Sequence, residues 1–167
     1  MKKIVCLVVM CVLMATAVQA AWYAKFDGID GESRDDKHQN WIEILSAKHE
    51  MHDAPGSANS AELGDFDLIK VMDSTTPKLT QPVCDGKAFK TVIIELCEPN
   101  EDGLEECYMR YELEKVRITS YSFHGAADDI PTETLTLNYD KITTTFLPLV
   151  PRGEAIAATC SPPPRRG

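Results

Sequence analysis

Basic residues are the scarce charge in this chain. Its 167 residues carry 17 Lys and Arg against 26 Asp and Glu, a formal net charge of −9. That sign gains nothing from the counterion release that drives nucleic-acid binding, and anionic lipid surfaces repel it. Nucleic acid is excluded as a partner, and the charge reads as a device for solubility. Nucleophile motifs are missing too. No serine sits in a Gly-x-Ser-x-Gly elbow, and no glycine-rich loop could cradle a phosphate. Ser33 and His38 are close in sequence without forming a recognisable dyad. A cysteine nucleophile would need an unpaired thiol such as Cys84 near His124. Nothing in the residues rises to an enzyme, a catalytic centre or a cofactor.

Long hydrophobic runs are also lacking after the first twenty residues. Those twenty differ from the rest. Lys2 and Lys3 open the chain, Ile4 to Ala15 is nearly all apolar, and Val18-Gln19-Ala20 offers a small-residue exit. Charged start, short apolar core and small-residue exit describe a secretory signal peptide cleaved after Ala20. The run is short for a membrane span and no stop-transfer charges follow it. The expectation is a secreted or periplasmic protein with no membrane association after cleavage. Residues 21–149 then form one domain, and a Pro-rich segment from Val150 reads as a flexible tail.

Export changes the meaning of the cysteines. Cys84, Cys97, Cys107 and Cys160 remain in the mature chain, an even number suited to disulfides in an oxidising compartment. Strong strand patterns at Phe89–Cys97 and Cys107–Ile118 flank a turn-rich acidic tip, which predicts a hairpin. Cys97 and Cys107 fall about opposite each other there, close enough for a disulfide. The alternative is two buried thiols. The partners of Cys84 and Cys160 stay open.

Two acidic or histidine-rich stretches invite a metal. In "DGIDGESRDDKHQN", residues 27–40, an EF-hand loop starting at Asp27 puts Ile29 and Gly31 at ligand positions. One starting at Asp30 puts Arg34 at the fifth place and Asp35 where glycine is needed. Neither works, and the stretch reads as a solvated turn. In "HEMHD", His49 and His52 are three apart where a strand runs into a loop, not four apart on a helix. No metal site is expected.

Other strands are expected at Trp22–Ile29, Trp41–Ala47, Phe66–Met72, Thr132–Tyr139 and Ile142–Leu147. Thr132–Tyr139 puts Leu135, Leu137 and Tyr139 on one face. Residues 50–65 lack any hydrophobic period and read as a long loop. "DSTTPKLTQPVCDGK" is the one plausible helix, with Pro77 in the first turn and Gly86 at the exit. Pro82 inside it predicts a short or kinked helix. The fold class is therefore mainly β: seven or eight short strands with one short helix, in a small barrel or sandwich.

Four blocks carry a family resemblance: "FDGIDGESRDDKHQNWIEILS", "FDLIKVMDSTTPKLTQPVCDGK", "TVIIELC" and "PTETLTLNYDKITTTFLP". In this order and spacing, from about Trp22 to Pro148, the chain resembles the haemolysin-coregulated protein (Hcp) family, the tube protein of type VI secretion. The resemblance implies a small Hcp-like β-barrel with one helix. It implies a homohexameric ring that stacks into a tube propelled by a contractile sheath, with a bore able to carry effector cargo. Spike, sheath and effector proteins are the implied partners. The family's core implies no catalytic residue and no cofactor. Its ring-to-ring loop corresponds to residues 48–64, with Met51, His52, Asp53, Pro55, Gly56, Asn59 and Glu62 as the implied stacking residues. Arg34 and Lys37 are candidates for ion pairs across a subunit boundary. The signal peptide, Pro82, the paired cysteines and the tail depart from the family pattern. They leave a second reading, an exported Hcp-like binding module that never meets a sheath.

Overall fold

A computed structural model describes residues 20–53, 61–100, 104–148 and 155–161. The expected signal peptide, apart from Ala20, lies outside the described residues. The chain order is β1 (Ala21–Phe26), β2 (Ile42–Ile44), β3 (Ser46–Asp53), β4 (Ala61–Val71), α1 (Thr76–Asp85), β5 (Phe89–Pro99), β6 (Glu105–His124), β7 (Thr132–Asn138), β8 (Lys141–Phe146) and β9 (Ile156–Cys160). Every strand pairing is antiparallel.

The strands form one sheet in the order β2-β1-β5-β6-β7-β4-β3, with β8 branching from β6 and β9 beyond it. The sheet's two ends, β2 and β3, are neighbours in the chain with only Leu45 between them. The sheet therefore curls until its edges meet, and the Leu45 N–H bonds to the Ile69 carbonyl at 2.7 Å. The hydrogen-bonded ladder does not run round to close, so the barrel expected from the sequence is not confirmed as a closed barrel.

β6 organises the fold. Its first half pairs with β5 on one side and β8 on the other, and its second half pairs with β7. The switch falls at Lys115, whose φ is +54°. A non-glycine residue held there bends the strand so that one long element serves two parts of the sheet. Phe26, Ile42, Phe66, Leu68, Leu79, Val92, Ile94, Leu113, Leu135, Leu137 and Ile142 fill the core between them. Leu135, Leu137 and Tyr139 share the buried face of β7 and its exit, as the alternation predicted.

α1 packs on β6 through buried Leu79 and Pro82. Pro77 opens it, and Gly86 ends it at φ +65°, with the Lys87 N–H bonded to the Pro82 carbonyl at 3.2 Å. Asp73 accepts the Thr75 N–H at 2.8 Å just ahead of the first turn. Pro82 lies inside the ten-residue helix and contributes buried apolar surface there. Among the described residues no helix is long and apolar enough to cross a membrane.

The structure differs from the sequence reading in several places. Nine strands stand among the described residues where seven or eight were expected, the single strand expected at Trp41–Ala47 is divided at Leu45 into β2 and β3, and β6 runs on past Ile118 to His124. The segment read as a loop from 50 to 65 is largely a hairpin: β3 and β4 pair from Ser46↔Ile69 out to Asp53↔Ala61. The region read as a flexible tail contains β9, which pairs with β8 from Phe146↔Ile156 to Ile142↔Cys160. Backbone ladder bonds hold both, and these do not need a hydrophobic period in the side chains.

Candidate functional site: the long hairpin and the buried histidine

The acidic stretch after β1 folds back on itself. Gly28 at φ +80° lets the Ile29 N–H return to the Phe26 carbonyl at 3.0 Å. Gly31 lies so close to the Trp41 carbonyl that an added Cβ would sit 2.2 Å from its oxygen. Paired backbone bonds (Gly31 to Asn40, Ser33 to Trp41, Asn40 to Ser33) make the stretch a compact flap. Asp35 Oδ1 accepts the N–H groups of Lys37 and His38, each at 3.0 Å, and so tightens the tip. The flap presses His38 into the protein, where only 1% of it remains exposed. The solvated turn expected from the sequence is thus only partly so. Ser33 and His38 point inward, and Asp35 is engaged.

His38 lands on the face of β5 that carries Glu95 and Cys97, two residues apart and so on the same side of the strand. Across the ladder, Cys107 of β6 stands opposite Cys97, and Arg110 opposite Glu95. Cys97 and Cys107 form the disulfide that the hairpin geometry suggested. His38 Nδ1 lies 2.6 Å from Asp35 Oδ1, and Nε2 lies 2.9 Å from Glu95 Oε2. Arg110 donates to the other Glu95 oxygen at 2.6 Å. The two sulfurs approach His38 Nε2 at 3.4 Å for Cys107 and 3.8 Å for Cys97. Tyr23 stacks on the imidazole with centroids 4.1 Å apart, and Trp41 meets it edge-on.

The electrostatics follow from this packing. Burial pulls the His38 imidazolium down, but the hydrogen bonds and charges of Glu95 and Asp35 outweigh it and hold the group above its ordinary value. Burial likewise opposes the Glu95 carboxylate, yet His38 and Arg110 keep it below the usual range. Burial, with Glu105 and Asp35 nearby, pushes the Tyr23 phenol up.

The long hairpin is the second feature. β3 and β4 project with a bulge between His49 and Met51. Gly64 sits there because a Cβ would lie 2.3 Å from the Glu50 carbonyl oxygen. Met51 and His52 are exposed on β3. Asp53 and Glu62 lie in the ladder, where His52 opposes Glu62 and Asp53 opposes Ala61. Pro55, Gly56 and Asn59 lie outside the described residues. The two histidines do not converge. His49 turns inward, stacks on Phe66 and meets Tyr139 Oη at 2.5 Å, while His52 faces solvent. Burial depresses the His49 imidazolium and favours the neutral ring, whose unprotonated Nε2 accepts a hydrogen bond from the Tyr139 hydroxyl. Burial, with Cys160 and Asp65 nearby, pushes Tyr139 up to about 12.

Arg34 is exposed, and Lys37 donates to the Glu105 carbonyl of its own chain at 2.7 Å. Cys84 and Cys160 are free; Cys84 is exposed on α1 and His124 at the end of β6. No hydrogen bond or ion pair joins that Cys and His among the described residues.

Sequence reasoning missed two buried polar sets. One is the His38 cluster, in which residues 57 and 59 positions apart meet. The other is Lys70, fully buried, which donates to Glu133 at 2.7 Å, to Asp73 at 2.8 Å and to the Val71 carbonyl at 2.7 Å. All three ammonium protons are satisfied, and Thr76 and Tyr121 also donate to Glu133. Glu95-x-Cys97 with Cys107 across the hairpin was a readable signal for the first set. A lone Lys on the apolar face of a strand, opposite Glu133 in the ladder, was the signal for the second.

The fold has known counterparts. Hcp1 of Salmonella typhimurium is 27% identical over 85% of this chain and 94% of its own, with a TM-score of 0.70. A type VI secretion system effector of Yersinia pestis is 26% identical over 84% and 98%, also at 0.70. Hcp2 of Salmonella typhimurium is 25% identical over 84% and 94%, at 0.67. No curated protein is significantly similar in sequence. Residues 23–146, which carry the sheet from β1 to β8 and the helix, match the family model of the type VI secretion system effector Hcp. The chain belongs to the Hcp family.

Proposed function

We propose that this protein is a structural component of type VI secretion that assembles as a homohexameric ring. The rings stack into a tube whose bore can carry effector cargo, with spike and sheath proteins as further partners. The observation that carries the reading is the family match across nearly the whole domain, on a fold shared with Hcp proteins over more than nine-tenths of their length. The β3–β4 hairpin supports it. It carries Met51, His52, Asp53 and Glu62, and on this reading it makes the contact from one ring to the next, with Pro55, Gly56 and Asn59 as further stacking residues. Ring formation buries apolar surface, and Leu45, Ile69, Phe123 and Ile130 are apolar and exposed on the single chain.

The Lys2-Lys3 start and the apolar run behind it favour a second reading, an exported Hcp-like module that does not engage a contractile sheath. A secreted or periplasmic location belongs to both. The test is to express the full chain in a host with a Sec pathway, recover it from the periplasm or medium and determine its N-terminus and mass. A hexamer beginning at Ala21 supports an exported ring. A monomer beginning at Ala21 favours the module, and an uncleaved chain retained in the cytoplasm removes the signal peptide from both readings.

A further inference from the structure

The Cys97–Cys107 bridge joins two sulfurs that share their surroundings with a buried imidazole and a buried carboxylate. We propose that His38, Glu95, Cys97 and Cys107 constitute, in the dithiol form of the protein, a site for one zinc-class divalent cation, and that the disulfide is the oxidised, metal-free form of that site.

One candidate ligand atom from each of His38, Glu95, Cys97 and Cys107 lies within 4.8 Å of the other three. Zinc bonds of about 2.0–2.1 Å to nitrogen and 2.3 Å to sulfur, at tetrahedral angles, set nitrogen and sulfur ligands about 3.6 Å apart. The observed spacings from Nε2 to sulfur are 3.4 and 3.8 Å. The Nε2–Oε2 separation of 2.9 Å is a hydrogen bond. It needs to open by only about half an ångström to admit the metal. The two sulfurs must part to about 3.8 Å, by rotation of their side chains once the bond between them is cleaved. One nitrogen, one carboxylate oxygen and two thiolates complete a four-coordinate set of the kind zinc takes.

The surroundings match a metal site as well as the ligands do. Metal-bound histidines characteristically donate their second ring N–H to a carboxylate, which fixes the tautomer. Asp35 occupies that place on Nδ1 at 2.6 Å, leaving Nε2 directed at the sulfurs. Arg110 holds the outer oxygen of Glu95, so that Oε2 alone faces inward. Tyr23 and Trp41 wall the imidazole, and His38 and Cys97 are almost wholly buried. Cys107 is only partly buried and gives a reductant its point of entry.

The chemistry balances with a dithiol reductant. One thiolate of the dithiol attacks Cys107, and the electron pair of the broken S–S bond goes to Cys97. The second thiol then resolves the mixed disulfide, leaving the reductant as a cyclic disulfide. The chain gains two electrons and two protons. The cation then displaces the two thiol protons and the Nε2 proton of His38 to solvent.

The test uses cobalt(II) as the probe, because tetrahedral cobalt–thiolate centres absorb in the visible and near ultraviolet. The purified chain is reduced with dithiothreitol, desalted anaerobically and titrated, alongside the oxidised chain. The expected result is one cobalt per reduced chain, with a thiolate charge-transfer band, retention of the aromatic circular dichroism bands of the folded chain and displacement by zinc. The oxidised chain binds none. The band persists in the Cys84→Ser, Cys160→Ser chain. It weakens in His38→Ala, and Asp35→Asn lowers affinity by about 10–100-fold through the histidine it orients. Failure of the folded, reduced chain to bind overturns the proposal. So does binding that His38→Ala leaves intact, or binding only by a chain whose tertiary spectrum has been lost.

Discussion

Lys70 is the residue on which the largest single-site effect is expected. Its ammonium is fully buried and its partner Glu133 nearly so, and nothing but the local network solvates either charge. Lys70→Met removes one partner and leaves Glu133 buried and uncompensated, which costs about 3–5 kcal/mol. Replacing both, Lys70→Met with Glu133→Leu, restores much of that loss, since the stranded charge is gone. Urea unfolding of the three chains checks both statements. Gly31→Ala acts by a different mechanism. A Cβ 2.2 Å from the Trp41 oxygen forces apart the two arms of the flap, and a loss of about 2 kcal/mol or more is expected, with a changed near-ultraviolet spectrum from Tyr23 and Trp41. His49 sets a pH dependence. Its imidazolium is depressed by burial, so below about pH 6.5 the unfolded chain takes up a proton that the folded chain refuses. The His49 contribution is complete above that pH and shrinks as pH falls toward the folded value. The stability difference between the parent chain and His49→Gln, followed by thermal melts from pH 7.5 to 5, narrows on acidification. A constant difference would contradict the assignment. Lys70 gave a signal as a lone charge on the apolar face of a strand, but its partner was not legible, and Gly31 and His49 gave no signal of their roles. Each depends on a neighbour tens of residues away or on a close backbone approach, whereas sequence pattern reports mainly the near neighbours along one strand or helix.

At the scale of elements, legibility followed the side-chain period. β5, β7, β8 and the helix bounded by Pro77 and Gly86 lie within about two residues of where the pattern put them, while β6 runs six residues beyond the Ile118 end the pattern gave it. The outer part of the β3–β4 hairpin and the β9 strand have no such period. Both are held by ladder bonds to a better-patterned neighbour, β4 through its inner half and β9 through β8. The Cys97–Cys107 pairing was legible because a hairpin places its residues by counting alone. Two predictions belong here. Closing that short loop stabilises the chain by about 2–3 kcal/mol in the chain-entropy model, so reduction in metal-free buffer lowers the urea midpoint accordingly. Truncation before Ile156 leaves one side of β8 unpaired, an edge prone to association. Amide exchange of Lys141–Phe146 should accelerate on truncation, and unchanged protection would show that β9 adds nothing to the sheet.

For the whole molecule, the sheet order explains how one chain presents several surfaces. β6 spans both parts of the sheet, the curled edges meet at Leu45, and the β3–β4 hairpin stands out from the body they make. Such a unit fits a ring, in which neighbours cover the exposed apolar residues and hairpins reach the adjacent ring. The proposed ring rests on the resemblance of four sequence blocks to Hcp proteins, because assembly leaves no period in a single chain. The most direct measurement is light scattering coupled to size-exclusion chromatography on the exported protein under oxidising conditions, over a range of concentrations. The account predicts a hexamer mass that holds on dilution. A monomer that stays monomeric at the highest concentration would contradict it.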